Sequence, residues 1–331
     1  MPAKFRYLET GSHDPYYNLA FEEYVLTEMP DADHLILWQN DNTVVVGLNQ
    51  NTLAEIDLSY VREHSVNVVR RSTGGGAVYH DLGNLNYSFI CALDDTRDAM
   101  KEALTRPVVE ALRSLGIDAS VSGRNDILAN GRKVSGTAER VWKNRILHHG
   151  TLLFDSDPER ISGALRTDPE KFRSKGISSI RSRIGTIRPL LSRDMSIAEF
   201  RRYLLTYITG GDTLPESLPE SALERIRALR DGKYATWEWN FGKSPQYTFS
   251  NSVRFPGGRV EVRVDTEHGR IRDLAIFGDF MSLMPMTELL EAMKGVPFER
   301  AAVLAVMELY PTDLYFHSVT VQEVLSVIFP V

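Results

Sequence analysis

Residues 70–81 read RRSTGGGAVYHD: two arginines, a short polar step, three successive glycines and a return to apolar residues. The stretch overlaps VNVVRRST, Val66–Thr73, which reads as a strand ending at the three glycines. Without Cβ atoms, Gly74, Gly75 and Gly76 let backbone N–H groups come close to a ligand, as holding a phosphate or carboxylate requires. Arg71 beside them offers a planar cationic fork for an oxyanion. A triple glycine is also what a bulge or a flexible turn contains. The stretch is not a P-loop, because no GxxxxGKS or GxxxxGKT occurs, and it lacks the third glycine of a dinucleotide fingerprint.

Upstream, Phe5–Glu9 reads as a strand. Asp14-Pro15 is a helix start, with Leu19, Phe21, Tyr24, Val25 and Met29 on roughly one face. His34–Asn40 and Thr43–Gly47 read as two strands joined tightly across Asp41-Asn42, and a short helix follows near Leu58–His64. Downstream, AVYH and NLNYSFICAL bracket Asp81–Gly83 as a hairpin. A helix over about Arg97–Leu115 stops at Gly116, and Pro107 predicts a kink or break in it. Asn130-Gly131 between two strand-like runs is a strong hairpin signal, and Arg145–Asp155 completes the sheet. Beyond Pro158 the chain reads as helical, with capping-box spacings at Ser196–Glu199 and Ser221–Glu224. Residues 246–280 then read as strands around Gly257-Gly258 and His268-Gly269, followed by helices near 286–294, 298–309 and 319–328.

These segments predict a mixed-sheet α+β domain over residues 1–245 and a smaller α+β domain over 250–331. The length of 331 residues also favours two domains. The apolar fraction of 43% and charged fraction of 25% are those of a folded globular chain. No run approaches the apolar length of a membrane span, and the first residues lack a secretory pattern. One cysteine, Cys91, excludes an internal disulfide and a cysteine-based zinc site; with the missing leader it predicts a cytoplasmic protein. The net charge of −6 argues against a general nucleic-acid binder. Locally, residues 171–202 concentrate Lys and Arg at 171, 173, 175, 181, 183, 188, 193, 201 and 202, a stretch suited to an acidic protein partner and equally to a solvated face.

A second polar cluster runs from Gly123 to Ala138. Lys133 lies two residues past the Asn130-Gly131 tip, where a compact cation can meet an acyl phosphate, and Ser135-Gly136 again suggests close backbone approach. A lysine there also reads as a solvated edge residue. Asp126 is a single carboxylate for a Mg²⁺ that bridges nucleotide phosphates. In His148-His149 the strand period sends the two rings to opposite faces, so at most one, His149, faces a pocket. Cys91 sits in an apolar strand, where an inert buried thiol is the default.

RRSTGGGAVYHDLGNLNYSF, SGRNDI, RKVSGTA and HHGTLL, in this order, closely resemble the lipoate–protein ligase A family, and DPYYNLAFEEYVL, KGISSIRSR and WEWNFG fit it too. The resemblance covers most of residues 1–245, and the remainder looks like the small C-terminal domain of two-domain members. It implies a catalytic domain with the biotin/lipoate ligase fold. It implies ATP-dependent activation of lipoate to lipoyl-AMP, then transfer to a lysine of lipoyl domains of 2-oxoacid dehydrogenase E2 subunits or of the glycine-cleavage H protein. On this resemblance Lys133 is the catalytic lysine. The adenylate site comprises Arg71, Gly75, Gly76, Ala77, Val78, Tyr79, Lys133, Ser135 and Gly136. Arg71, Lys133, His149, Trp38 and Leu19 line the lipoate pocket, and Phe172–Arg193 serves as lid and acceptor dock. Three other readings compete: an octanoyl transferase of the same superfamily using a cysteine thioester, a biotin ligase, and a non-catalytic lipoate-binding protein. The first has only Cys91 to use, and the second requires a GRGRxGR-type loop that RRSTGGGAVYH does not match.

Overall fold

The computed structural model describes residues 5–93, 96–123, 125–166, 184–241, 249–267 and 269–329. Two compact units emerge. The first comprises Met1–Val45, Ile56–Val69 and Val78–Thr236; the second comprises Val46–Glu55, Arg70–Ala77 and Trp237–Val331. Two short excursions of the N-terminal half, the second carrying the glycine run, thus group with the C-terminal segment.

In chain order the elements of the N-terminal half are β1 (Arg6–Leu8), α1 (Pro15–Glu28), β2 (His34–Trp38), β3 (Thr43–Val46), α2 (Thr52–Glu55), α3 (Leu58–Glu63), β4 (Asn67–Arg70), β5 (Val78–His80) and β6 (Asn84–Ala92). Then come α4 (Arg97–Ser114), β7 (Ala119–Ser122), β8 (Asp126–Ala129), β9 (Arg132–Trp142), β10 (Arg145–Leu153), α5 (Pro158–Ala164), α6 (Ile197–Thr209) and α7 (Glu220–Leu229). Among the described residues seven strands form one sheet in the order β1-β2-β6-β10-β9-β8-β7, while β4-β3-β5 form a small separate sheet.

The period-two alternation of strands divides the large sheet into two faces. Leu35, Leu37, Leu85, Tyr87, Phe89, Ile146 and Leu152 pack on one of them with Leu104, Val108 and Leu112 of α4 and Phe200, Leu204 and Ile208 of α6. α1 lies over the other. Its buried positions run from Asn18 through Leu26, so polar groups as well as apolar ones are enclosed. Glu23 is one: its carboxylate takes Arg140 at 3.0 Å, Lys233 at 2.7 Å and the Tyr234 hydroxyl at 2.6 Å. Burial alone would raise this carboxyl, yet Arg140 and Lys233 hold it down at about 2.

Several expectations from the sequence change in the fold. β2 and β3 do not pair, nor do β5 and β6; each tight connection carries the chain from one sheet to the other. α4 continues unbroken through Pro107, held by the buried side chains that flank it. β10 is a central strand between β6 and β9. The Ser196–Glu199 capping box forms, but Ser221 lies inside α7, which Pro219 precedes. The Asn130-Gly131 hairpin is present, with φ of 48° and 78° at its two corners, as a type I′ turn requires.

In the second unit α8 (Trp237–Asn240) precedes β11 (Phe249–Phe255), β12 (Gly258–Glu267) and β13 (Arg270–Gly278), an antiparallel sheet. Val260, Val262, Val264, Leu274 and Ile276 form a core with side chains of α9 (Thr287–Ala292), α10 (Arg300–Met307), α11 (Thr312–Tyr315) and α12 (Val321–Ile328). A capping box at Thr320–Glu323, not foreseen from sequence, opens α12. Among the described residues no helix is long and apolar enough to cross a membrane.

Acid sensitivity follows from His34 on β2. Burial, with Arg145 and Arg6 nearby, lowers its pKa to about 4. The unfolded chain takes up this proton first, so the contribution is complete above about pH 6.5 and is lost as pH falls toward 4, a loss of about 3 kcal/mol. Glu23 adds a second loss between about pH 4.5 and 2. His34→Leu is expected to flatten the pH 6.5–4 limb in denaturant titrations, whereas an unchanged limb would show that another group governs it.

Candidate active site

Lys133 lies just past the β8–β9 hairpin turn. Its ammonium is 2.6 Å from Asp126 Oδ1, both side chains being largely enclosed. A bulge at Val134 of β9, opposite the Ile127–Leu128 step of β8, shifts the register by one residue. The ammonium consequently sits above Gly136, where an added Cβ would meet it at 3.1 Å. Here the glycine leaves room for a cation and whatever it binds. Ser135 points the other way, buried beside the Tyr87 phenol, which is held protonated chiefly by burial.

Register extends this neighbourhood across the sheet. Asp126 pairs with Gly136, whose N–H donates to Thr151 Oγ1 at 3.1 Å; Thr151 pairs with Asn86, and Asn86 with Trp38. One row further along, His149 pairs with Ser88. Trp38 Nε1 donates to Ser88 Oγ (2.8 Å), Ser88 Oγ donates to Glu22 Oε1 (2.6 Å), and His149 Nδ1 lies 2.8 Å from the same oxygen. Leu19, one helical turn before Glu22, is buried on the same helix. The structure therefore brings together Trp38 and His149 through a buried relay, with Leu19 one turn away on α1. His148 turns to the core face, where it meets Glu139 at 3.0 Å and Thr105 at 3.3 Å. Sequence reasoning missed Glu22, Ser88 and Asn86; the acidic pair inside the apolar helix run FEEYV was the available signal.

Val78 and Tyr79 lie on β5. Tyr79 is buried and its hydroxyl donates to Asn42 Oδ1 at 2.8 Å. Cys91 is buried on β6. Among the described residues no group of three His, Cys, Asp or Glu side chains converges on a metal position. Of the basic stretch, 171–183 lies outside the described residues. Arg188 pairs with Asp155 at 2.7 Å and with Asp194 at 3.0 Å.

The second unit holds Arg71, Gly75, Gly76 and Ala77. Arg71 donates from Nε to Thr73 Oγ1 (2.9 Å) and from Nη2 to the carbonyls of Gly74 (2.6 Å) and Gly76 (2.9 Å), so it braces the loop from inside. The Gly74 and Gly75 N–H groups donate to the carbonyls of Ser282 and Phe280, both at 3.1 Å. A Cβ on Gly74 would lie 2.3 Å from Ser282 N. The close approach these two glycines permit is thus to the backbone of Phe280–Ser282. Arg70, unremarked in sequence, is the hub of the loop. It donates to the carbonyls of Gly47, Leu48, Gln50, Trp239 and Asn240 and to Thr52 Oγ1. Burial lowers its pKa to about 10.

Comparison with known proteins fits this architecture. Residues 14–209 match the model of the lipoyl protein ligase A/B catalytic domain, and residues 244–328 that of the bacterial lipoate protein ligase C-terminus. The lipoate-protein ligase LplJ of Bacillus subtilis is 40% identical over 322 residues, covering 96% of this chain and 97% of that protein. Among solved structures, a bipartite lipoate protein ligase of Thermoplasma acidophilum, described with its E2 lipoyl domain, is 32% identical with a TM-score of 0.65, covering 75% of this chain and all of that one. A lipoate-protein ligase A bound with ATP is 31% identical with a TM-score of 0.63, covering 73% of this chain and 99% of that one. The chain belongs to the lipoate–protein ligase family, in its form with a catalytic domain and a C-terminal domain.

Proposed function

We propose that this chain is an ATP-dependent lipoate–protein ligase. It converts lipoate and ATP to lipoyl-AMP and pyrophosphate, then passes the lipoyl group to a lysine Nζ of an acceptor lipoyl domain. The 2-oxoacid dehydrogenase E2 lipoyl domains and the glycine-cleavage H protein are the acceptors this reading assigns, and the cytoplasm its compartment. Family membership supports the activity. The observation that carries the mechanism is the Lys133 ammonium standing over Gly136, at one end of a face that leads to Trp38, His149 and Leu19.

The chemistry begins with a repulsion. A carboxylate oxygen attacking an α-phosphate brings two anions together, and a fixed cation between them is most valuable as the new bond forms. Lys133 supplies that cation and aligns both groups. Asp126, 2.6 Å away, holds the ammonium until the substrates displace it. In the second half-reaction the acceptor amine attacks the acyl carbon and AMP departs. Arg71, Gly75, Gly76, Ala77, Val78, Tyr79 and Gly136 are assigned to the adenylate, and Ser135, whose side chain is turned to the core, is assigned through its backbone alone. A lone carboxylate beside a phosphate site fits Mg²⁺, which keeps waters and substrate oxygens and takes few protein ligands. Asp126 is the residue that would hold it, and the ion would neutralise charge on the nucleotide phosphates.

ATP–pyrophosphate exchange with lipoate, octanoate and biotin in parallel tests the reading. Exchange dependent on lipoate and absent with biotin is expected, and its absence with lipoate would leave a carrier or a transferase. The buried setting of Cys91 predicts that Cys91→Ser retains the wild-type exchange rate; complete loss would revive the thioester transferase.

A further inference from the structure

Asn86 has no part in the mechanism above, yet it lies between two groups that do. It shares the face and the register row of Gly136, Thr151 and Trp38. It is 2% exposed. Its Oδ1 accepts from Asn84 Nδ2 at 2.9 Å, while its own Nδ2 has no acceptor among the described residues. Turning both amides over exchanges nitrogen and oxygen and still leaves one buried polar atom of Asn86 unmatched. Buried polar groups in folded proteins are nearly always paired, and those that are not point to a bound water or ion, a ligand, stored strain or a functional role. On the same face Trp38 and Ser88 are both engaged in the relay that ends at Glu22 and His149, whereas the Asn84–Asn86 amide pair keeps two atoms unmatched, Asn84 Oδ1 and Asn86 Nδ2.

Distance identifies the ligand atom. From β9, where the ammonium stands over Gly136, to β6, which carries Asn86, is two strand spacings, about 9.6 Å. An eight-carbon chain with its carboxylate at Lys133 extends roughly 9 Å at about 1.25 Å per bond. Its far end therefore falls at Asn86. In lipoate that end bears the dithiolane, with sulfurs on carbons 6 and 8; in octanoate it is a methyl group.

We propose that Asn86 is a specificity-determining residue that faces the dithiolane of bound lipoate and donates its amide N–H to a ring sulfur. Sulfur is a weak acceptor, but a weak acceptor outcompetes none for a donor already out of water. A methyl-ended or carbocyclic acid leaves the donor unmatched and binds less well. This deepens the ligase reading and rests on it.

The test uses the full-length protein and measures kcat/KM for ATP–pyrophosphate exchange with lipoate, octanoate and 5-cyclopentylpentanoate, the all-carbon isostere of lipoate. The wild type is expected to favour lipoate over the isostere about tenfold, and Asn86→Leu to reduce that ratio toward unity without changing the KM for ATP. A wild-type ratio near one would overturn the proposal whether or not the variant folds. So would a folded Asn86→Leu that keeps the full preference. Absence of lipoate-dependent exchange in the wild type would instead remove the ligase reading, and this proposal with it.

Discussion

Replacing Lys133 with alanine is expected to lower lipoyl-AMP formation about a thousandfold while leaving the protein folded. The effect is large because the proposed mechanism puts the ammonium where charge is most crowded, between an attacking carboxylate and an α-phosphate. Its structural contribution is small by comparison. The contact with Asp126 is one largely enclosed pair at a hairpin, with about 1–3 kcal/mol at stake. Single-turnover quantification of lipoyl-AMP, beside a thermal melt, separates the two. Both half-reactions should fail together, since the same cation orients the acyl group in each. Normal adenylate production by the variant would overturn the assigned role.

Arg70→Lys should be the most destabilising conservative change in the second unit. The guanidinium spreads its donors over six acceptors drawn from Gly47–Thr52 and α8. A lysine ammonium has three donors at one point and cannot reproduce that fork. At least three acceptors lose the arginine's donor in a buried site, though the Gly47 and Asn240 carbonyls keep bonds from Gln50 N–H and the Thr52 hydroxyl, for a loss of about 3–5 kcal/mol. A calorimetric scan should show a transition lowered by more than about 10 °C. A variant melting with the wild type would show that the arginine's bonds are replaceable and that the loop is held by other means.

The readable parts of this fold were those set by local chemistry. Asp14-Pro15 starts α1 and Asn130-Gly131 turns the β8–β9 hairpin because cap and turn geometry restrict which residues fit. Strand pairing was not readable in the same way. β2, β3 and β6 are buried on both faces along most of their length, so no alternation of polar and apolar residues marks a sheet or a register. That is why the steps β2–β3 and β5–β6 looked like hairpins and are instead crossings between sheets.

The site divided along the same line. Lys133, Gly136 and His149 carried signals in residue type and spacing, and alternation alone sent His148 and His149 to opposite faces. Glu22 and Ser88 carried none strong enough, because their contact arises where α1 meets a strand distant in sequence. The glycine run signals close backbone approach without naming what approaches. Gly74 and Gly75 allow close approach, and the backbone of Phe280–Ser282 makes it.

Stepwise turnover without and then with an acceptor addresses the account most directly. Full-length protein is incubated with radiolabelled lipoate and ATP, the bound nucleotide products are separated, and an unmodified lipoyl domain is added afterwards. The account predicts stoichiometric lipoyl-AMP in the first stage and label on a single acceptor lysine in the second, with no further ATP required. Label reaching the acceptor without ATP, or ATP consumed with no acyl-adenylate formed, would contradict it.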